Sequence, residues 1–266
     1  MEFSVEGAIA FMNGLPPDWI ELAMIVLCYG AVLLMLRLFA EAGLHVWMVL
    51  AVLIANIQLL KMAQFSFFPE PVALGTIPFA STFFCADVIT EYYGRAAARK
   101  AVFIGFVASL LWVAALMLTL GYAPLTPEQV PPDAAWQSAI HPAMATLFTP
   151  APAFLAAGLI SYLIAENVDI WLYGVIRERT GDRLLWLRNN GSTIGAAVVD
   201  TVVFNVLAWK VFQSGEMSWE TLIVTFMFGT FLQRVLVSVL DTPFMYLSRH
   251  CVPGRRGRGP APLPAE

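Results

Sequence analysis

Seven stretches of the chain are each about 20 residues long and predominantly apolar, the length an α-helix needs to cross the hydrocarbon core of a bilayer. They run Trp19–Leu38, Leu44–Met62, Val72–Tyr93, Ala101–Gly121, Pro142–Glu166, Ser192–Phe212 and Trp219–Tyr246. Hydrocarbon offers no partner to a backbone N–H or C=O, so each stretch must satisfy its own peptide groups as helix. With 59% hydrophobic and 13% charged residues and a mean hydropathy of +0.73, the chain lacks the charged shell of a water-soluble fold. The expected fold class is all-α, a polytopic transmembrane helical bundle. Loops of about twenty residues or fewer leave no room for a soluble domain, so any site is expected inside the membrane.

Arginine and lysine set the expected orientation. Segments after the first, third, fifth and seventh stretches carry Arg37; Arg95, Arg99 and Lys100; Arg177, Arg179, Arg183 and Arg188; and Arg249, Arg255, Arg256 and Arg258, twelve of the fifteen basic residues. The other side holds Lys61 and Lys210 at helix ends, and its longest loop, Tyr122–His141, has Glu128 and Asp133 and no base. Positive charge stays cytoplasmic. The amino terminus is therefore expected outside a bacterial inner (plasma) membrane, and the Arg-, Pro- and Gly-rich tail Pro253–Glu266 inside and disordered. The first eighteen residues carry Glu2, Glu6 and Asp18 and no base, unlike the start of a cleavable signal peptide.

Several function classes find no support. The acids and bases behind the net charge of −4 are segregated along the chain, and no basic patch suits nucleic acid. Cys28, Cys85 and Cys251 lack metal or disulfide spacing. His45, His141 and His250 fall on loops or span ends outside any HExxH frame, and Ser81, Ser161 and Ser192 lack a G-x-S-x-G frame. No phosphate-binding G-x-x-x-x-G-K-[ST] loop occurs. The expectation is a non-enzyme without cofactor, metal or catalytic residue.

Charge within the spans carries the functional signal, because a charged side chain at mid-membrane costs about 2.5–3.5 kcal/mol and needs a partner, a cavity or a role. Asp87 and Glu91 fall in the third stretch, Glu166 near the end of the fifth, Asp200, Thr201 and Asn205 in the sixth, and Gln233 and Arg234 in the seventh. By depth they are expected to share one polar layer in the cytoplasmic half, while Asn56, Gln58 and Lys61 form a second toward the outside. Purely structural roles compete with function. Glu91, Arg95 and Arg99 recur at i, i+4 and fit an ion-paired helix exit; Arg234 fits a neutralising partner for Asp200 or Asp87; Lys61 and Lys210 fit snorkelling. Asp87 and Asp200 are hardest to explain as structure. Most of the eight Trp and nineteen Phe are expected against lipid or at its interface.

Two blocks carry a resemblance. Residues 56–100 hold an Asn near a helix end, a short turn, and then D-x-x-T-E-x-Y-G from Asp87 followed by A-R; residues 188–204 read RNNGSTIGAAVVDTVVF, with an S-T pair and D-T-x-x-F. They resemble the vitamin-uptake-transporter-like, or queuosine precursor transporter, family, with weaker agreement at Ser161–Asp169 and around Arg234 and Thr242–Pro243. The resemblance implies a six-helix core at 44–248, preceded by a tail and an added transmembrane helix at 1–43 and followed by a basic cytoplasmic tail at 249–266. An inverted 3+3 repeat is compatible with the span directions. It also implies uptake of 7-deazaguanine precursors of queuosine: 7-cyano-7-deazaguanine, 7-aminomethyl-7-deazaguanine or queuine. A guanine-like edge suits carboxylate acceptors and amide or guanidinium donors, with an aromatic to stack on. The candidate substrate-binding set is Asn56, Gln58, Asp87, Glu91, Glu166, Asp200, Asn205, Gln233 and Arg234, with Phe84, Tyr162 and Phe204. Expected partners are the deazapurine, the lipid bilayer and a second copy in a homodimer. The alternative is a substrate-binding membrane subunit of an ATP-driven vitamin or nucleobase importer.

Overall fold

The computed structural model describes residues 4–66, 71–126, 128–148, 152–181, 183–212 and 218–253. A short α1 (Val5–Asn13) is capped by Ser4, whose hydroxyl accepts from the Gly7 N–H at 3.0 Å, and buries nothing. The next element, α2 (Pro17–Gln58), reverses direction at Ala40, where φ is 52° and ψ is −135°. The reversal is plain from Gln58, whose Nε2 lies 3.8 Å from Met24 Sδ. A straight helix would hold positions 34 apart at about 50 Å. Gly43 makes the turn possible, since a Cβ there would run into the Met35 carbonyl. The first two expected spans are therefore the antiparallel arms 17–39 and 41–58.

A hairpin follows, β1 (Met62–Ala63) against β2 (Val72–Ala73), so the third span starts at Thr76 and not at Val72. Next come α3 (Thr76–Tyr93) and α4 (Arg95–Gly121), separated by Gly94 at a φ of 95° that L side chains resist. A 3₁₀ turn (Pro132–Ala139) leads into α5 (Ile140–Phe148). The expected fifth span, Pro142–Glu166, is corrected here. Its first part is the separate α5, and the long helix is α6 (Pro152–Thr180), which begins on a proline tolerated in a first turn and runs fourteen residues beyond Glu166.

The chain continues through α7 (Leu185–Asn205), whose end widens into a π-helix (Val206–Phe212). A single turn α8 (Trp219–Thr221) and a second π-helix (Leu222–Phe228) then enter α9 (Gly229–Cys251). The expected disorder of the tail concerns residues 254–266, which lie outside the described residues, as do Arg255, Arg256 and Arg258.

The result is an all-α membrane bundle; α2, α4, Leu155–Thr180 and Leu185–Phe212 are long and apolar enough to span. The first arm of α2 packs into the core. Ile25, Cys28, Tyr29, Val32 and Leu36 are buried, and Tyr29 packs on Phe84 and Phe244 at ring distances of 5.1 and 5.3 Å. Val26, Leu27, Leu34 and Leu38 point outward, the apolar surface a lipid solvent accepts. Polar α3 is enclosed by its neighbours, with 13 of its 18 residues buried.

Candidate functional site

Polar side chains from α3, α6, α7 and α9 line up along the bundle interior in three tiers. At a rise of 1.5 Å per residue, Thr82 and Glu91 on α3 are about 13 Å apart, so the single polar layer expected from depth is instead a column. The first tier centres on Asp200 of α7. Ser161 of α6 donates to its Oδ1 at 2.5 Å and to its backbone carbonyl at 3.0 Å, and Arg234 of α9 pairs with Oδ2. The Arg234 guanidinium also sits 5.1 Å from the centre of the Phe79 ring, near enough for a cation–π contact.

Phe79 in turn meets Phe83 and Tyr162 edge-on at 5.5 and 6.2 Å. Glu166, fully buried, takes a hydrogen bond from Thr82 on Oε1, while its Oε2 has no hydrogen-bond partner. The Tyr162 hydroxyl and Arg234 Nε are equally unpartnered. One acceptor and one cationic donor are thus left uncommitted beside a cluster of aromatic rings, while the Tyr162 hydroxyl lies against Gly105 of α4, 2.7 Å from where a Cβ there would sit. Gln233 stands beside Arg234 in sequence and accepts from Thr76 at 3.2 Å, and Asn205 bonds back to the Thr201 carbonyl of its own helix.

The middle tier is acidic. Asp87 is buried and receives from Ser192 only at 3.5 Å. Asp169 of α6 lies beside it, and Asp241 of α9 accepts from Asn189 at 2.6 Å. The third tier holds Glu91, which accepts from Arg188 at 2.5 and 3.1 Å and from the Tyr173 hydroxyl at 2.8 Å, with Arg177 at 3.8 Å. The i, i+4 pairing of Glu91 with Arg95 and Arg99 is corrected. Gly94 breaks the helix between them, Arg95 pairs with Glu178, and Glu91 is held by α6 and α7. Arg188 was counted among surface arginines but is fully buried within α7.

Of the candidate set, Glu166, Asp200, Arg234 and Tyr162 come together, Gln233 and Asn205 flank them, and Asp87 sits one tier away. Phe204 lies 4.0 Å from where a side chain at Gly158 would begin. Asn56 and Gln58 end α2 near Gly75, whose added Cβ would come within 2.7 Å of the Ala55 carbonyl, and Phe84 faces the apolar core. Sequence reading passed over Thr82, Phe79 and Asp241, and left Asp169, which follows Glu166 and Asn167 near the end of the fifth stretch, out of the candidate binding set. The available signal was an Asp at span depth ahead of Thr242–Pro243, and Asp169 three residues after Glu166 on one helix face. Among the described residues no group of three or more His, Cys, Asp or Glu is placed to hold a metal ion.

Residues 73–248 match a family described as "Putative vitamin uptake transporter". The chain is 30% identical over 236 residues to a protein of Bacillus subtilis (strain 168) described as "Probable queuosine precursor transporter", covering 88% of this chain and 95% of that protein. No solved structure matches the chain.

Proposed function

We propose, because the chain belongs to the "Putative vitamin uptake transporter" family and is a multi-pass membrane transporter, that it carries a 7-deazaguanine precursor of queuosine into the cell. The observation that carries this reading is the uncommitted pair of the first tier, Glu166 Oε2 and Arg234 Nε, beside the rings of Phe79 and Tyr162. A flat guanine-like base presents adjacent N–H donors that a carboxylate accepts and a carbonyl that a guanidinium or hydroxyl satisfies. Its faces need aromatic surface. Buried polar groups that stay unpaired without cargo and become paired with it favour a ligand of that pattern over an apolar one.

In this reading Glu166 accepts, Arg234 donates while held by Asp200, and Asp87 lies further along the path. The arginine distribution supports an outside amino terminus and a cytoplasmic carboxyl end in a bacterial inner membrane. The test is expression in cells that lack precursor synthesis. Queuosine-modified tRNA should return at micromolar external precursor, and its absence with the protein confirmed in the membrane would rule out the cargo. Purified chain alone in liposomes should take up labelled precursor; a requirement for an ATP-driven module would instead favour a binding subunit.

A further inference from the structure

Six carboxylates are buried along the column: Asp87, Glu91, Glu166, Asp169, Asp200 and Asp241. The guanidiniums beside them are committed, Arg188 and Arg177 to Glu91 and Arg234 to Asp200. Among the described residues, Asp87, Glu166, Asp169 and Asp241 are left without an ion-pair partner. Asp241 has the Asn189 amide and Glu166 the Thr82 hydroxyl. Asp87 and Asp169 have almost nothing. Asp87 Oδ2 and both oxygens of Asp169 lack any hydrogen-bond partner, although both residues are fully buried.

A second, independent feature points to what fills the gap. The Thr193 hydroxyl, on a residue 6% exposed, stands beside Asp169 and is also unpartnered. Ionised together, the two facing carboxylates are pure acceptors toward each other, so neither can satisfy the other. One proton converts the pair into an O–H donor and an acceptor and removes one of two like charges from a site where, among the described residues, no cation forms an ion pair. The Thr193 hydroxyl is placed to donate to a remaining oxygen of Asp169. The groups facing the pair are Glu166 and Tyr173 from α6, Asp241 from α9, and Asn189, Ser192 and Thr193 from α7; Glu91, one turn on along α3, is already claimed by its arginines.

We infer that Asp87 and Asp169 form a proton-binding pair between the cargo tier and the Glu91 clamp, and that one proton travels with each cargo molecule. An O–H bond forms on one carboxyl when the pair is open to one side and breaks, releasing the proton to water, when it opens to the other. The coupling half rests on the transport reading above; the site itself does not.

Two measurements separate those halves. Infrared difference spectra of the purified full chain in lipid should contain the C=O stretch of a protonated carboxylic acid, shifted in D₂O. The band should lose amplitude in Asp169→Asn and in Asp87→Asn, and a wild-type minus variant spectrum without it would overturn the site. In proteoliposomes, labelled 7-cyano-7-deazaguanine, which carries no charge near neutrality, should acidify the lumen as it enters. With one proton per cargo, one pH unit of gradient should sustain about tenfold accumulation. Asp169→Asn should still exchange cargo by counterflow and lose the accumulation. Wild-type counterflow with no pH response would overturn the coupling, whereas no wild-type counterflow would overturn the cargo assignment and leave the infrared result to judge the site.

Discussion

Replacing Glu91 with Gln separates structure from function in the third tier. Glu91 is 2% exposed and its carboxylate receives two hydrogen bonds from Arg188, one from Tyr173, and the charge of Arg177. Gln keeps the volume, removes the charge, and turns one acceptor into an NH₂ that faces a guanidinium. The wild-type pair is not itself worth much over an apolar isostere, but breaking one partner of a buried pair costs about 3–5 kcal/mol because the other charge is stranded. For a chain of this size that corresponds to a fall in apparent melting temperature of about 6–20 °C. The assay is thermal survival of the monodisperse peak of detergent-solubilised protein. The double variant Glu91→Gln, Arg188→Gln should recover part of the loss, since neighbours in one network are not additive. A Glu91→Gln variant that keeps its thermal midpoint within about 2 °C, corresponding to under about 1 kcal/mol, yet loses transport would refute this reasoning and return Glu91 to the cargo site.

Other substitutions probe the first tier and the backbone. Glu166→Gln should change stability by less than about 1 kcal/mol, because Thr82 can still donate to the amide oxygen, and should weaken cargo binding about tenfold or more, read as lost ligand-dependent thermal stabilisation. Arg234→Gln should lower stability by about 3 kcal/mol through the stranded Asp200, and adding Asp200→Asn should restore membrane abundance without restoring uptake. Gly75→Ala should cost more than about 1 kcal/mol in thermal-survival assays, because φ is 99° and the new Cβ would sit 2.7 Å from the Ala55 carbonyl. Gly43→Val should abolish monodisperse protein altogether, since backbone at Met35 cannot yield as a flexible side chain would.

Helices that meet lipid were legible because lipid imposes an apolar surface, and a run such as Ala101–Gly121 announces itself. The fifth span was misplaced for the converse reason. The inner helix α6 accommodates Glu166 and Asp169 because polar side chains stand opposite them, Thr82 of α3 and Ser192 and Thr193 of α7, so its polar half read as a helix exit and the apolar α5 ahead of it as the span's beginning. Arg188 was lost to the same logic. The rule that assigns arginines to the cytoplasm reads charge and not burial, and only the folded proximity of Glu91, 97 residues earlier, distinguishes a clamp from a surface residue. Depth alone left Arg234 as a partner for Asp200 or Asp87, and the fold joins it to Asp200 because α7 and α9 pack together while Asp87 faces α6.

The column is unequal along its length, and that inequality bears on how it can open. α3 touches α2 through the Trp47–Ser81 bond, α9 through Thr76–Gln233, α6 through Thr82–Glu166 and α7 through Ser192–Asp87, and both its ends are glycines at positive φ. Near Glu91 the charges are saturated, with two arginines and a tyrosine on one carboxylate. Near Thr76, α3 itself is held by the Trp47–Ser81 and Thr76–Gln233 hydrogen bonds, the Thr82 bond to Glu166 and the Arg234 contact on Phe79. Among the described residues, the one ion pair of that tier, Arg234–Asp200, joins α9 to α7 without involving α3. Parting α3 from its neighbours at the Glu91 end must break its ion pairs with Arg188 and Arg177, whereas parting it at the Thr76 end breaks, among the described residues, no ion pair of its own. On this reasoning α3 should part first at the Thr76 end, and cargo that paired Glu166 and Arg234 would supply the differential free energy needed to shift the balance between the two openings.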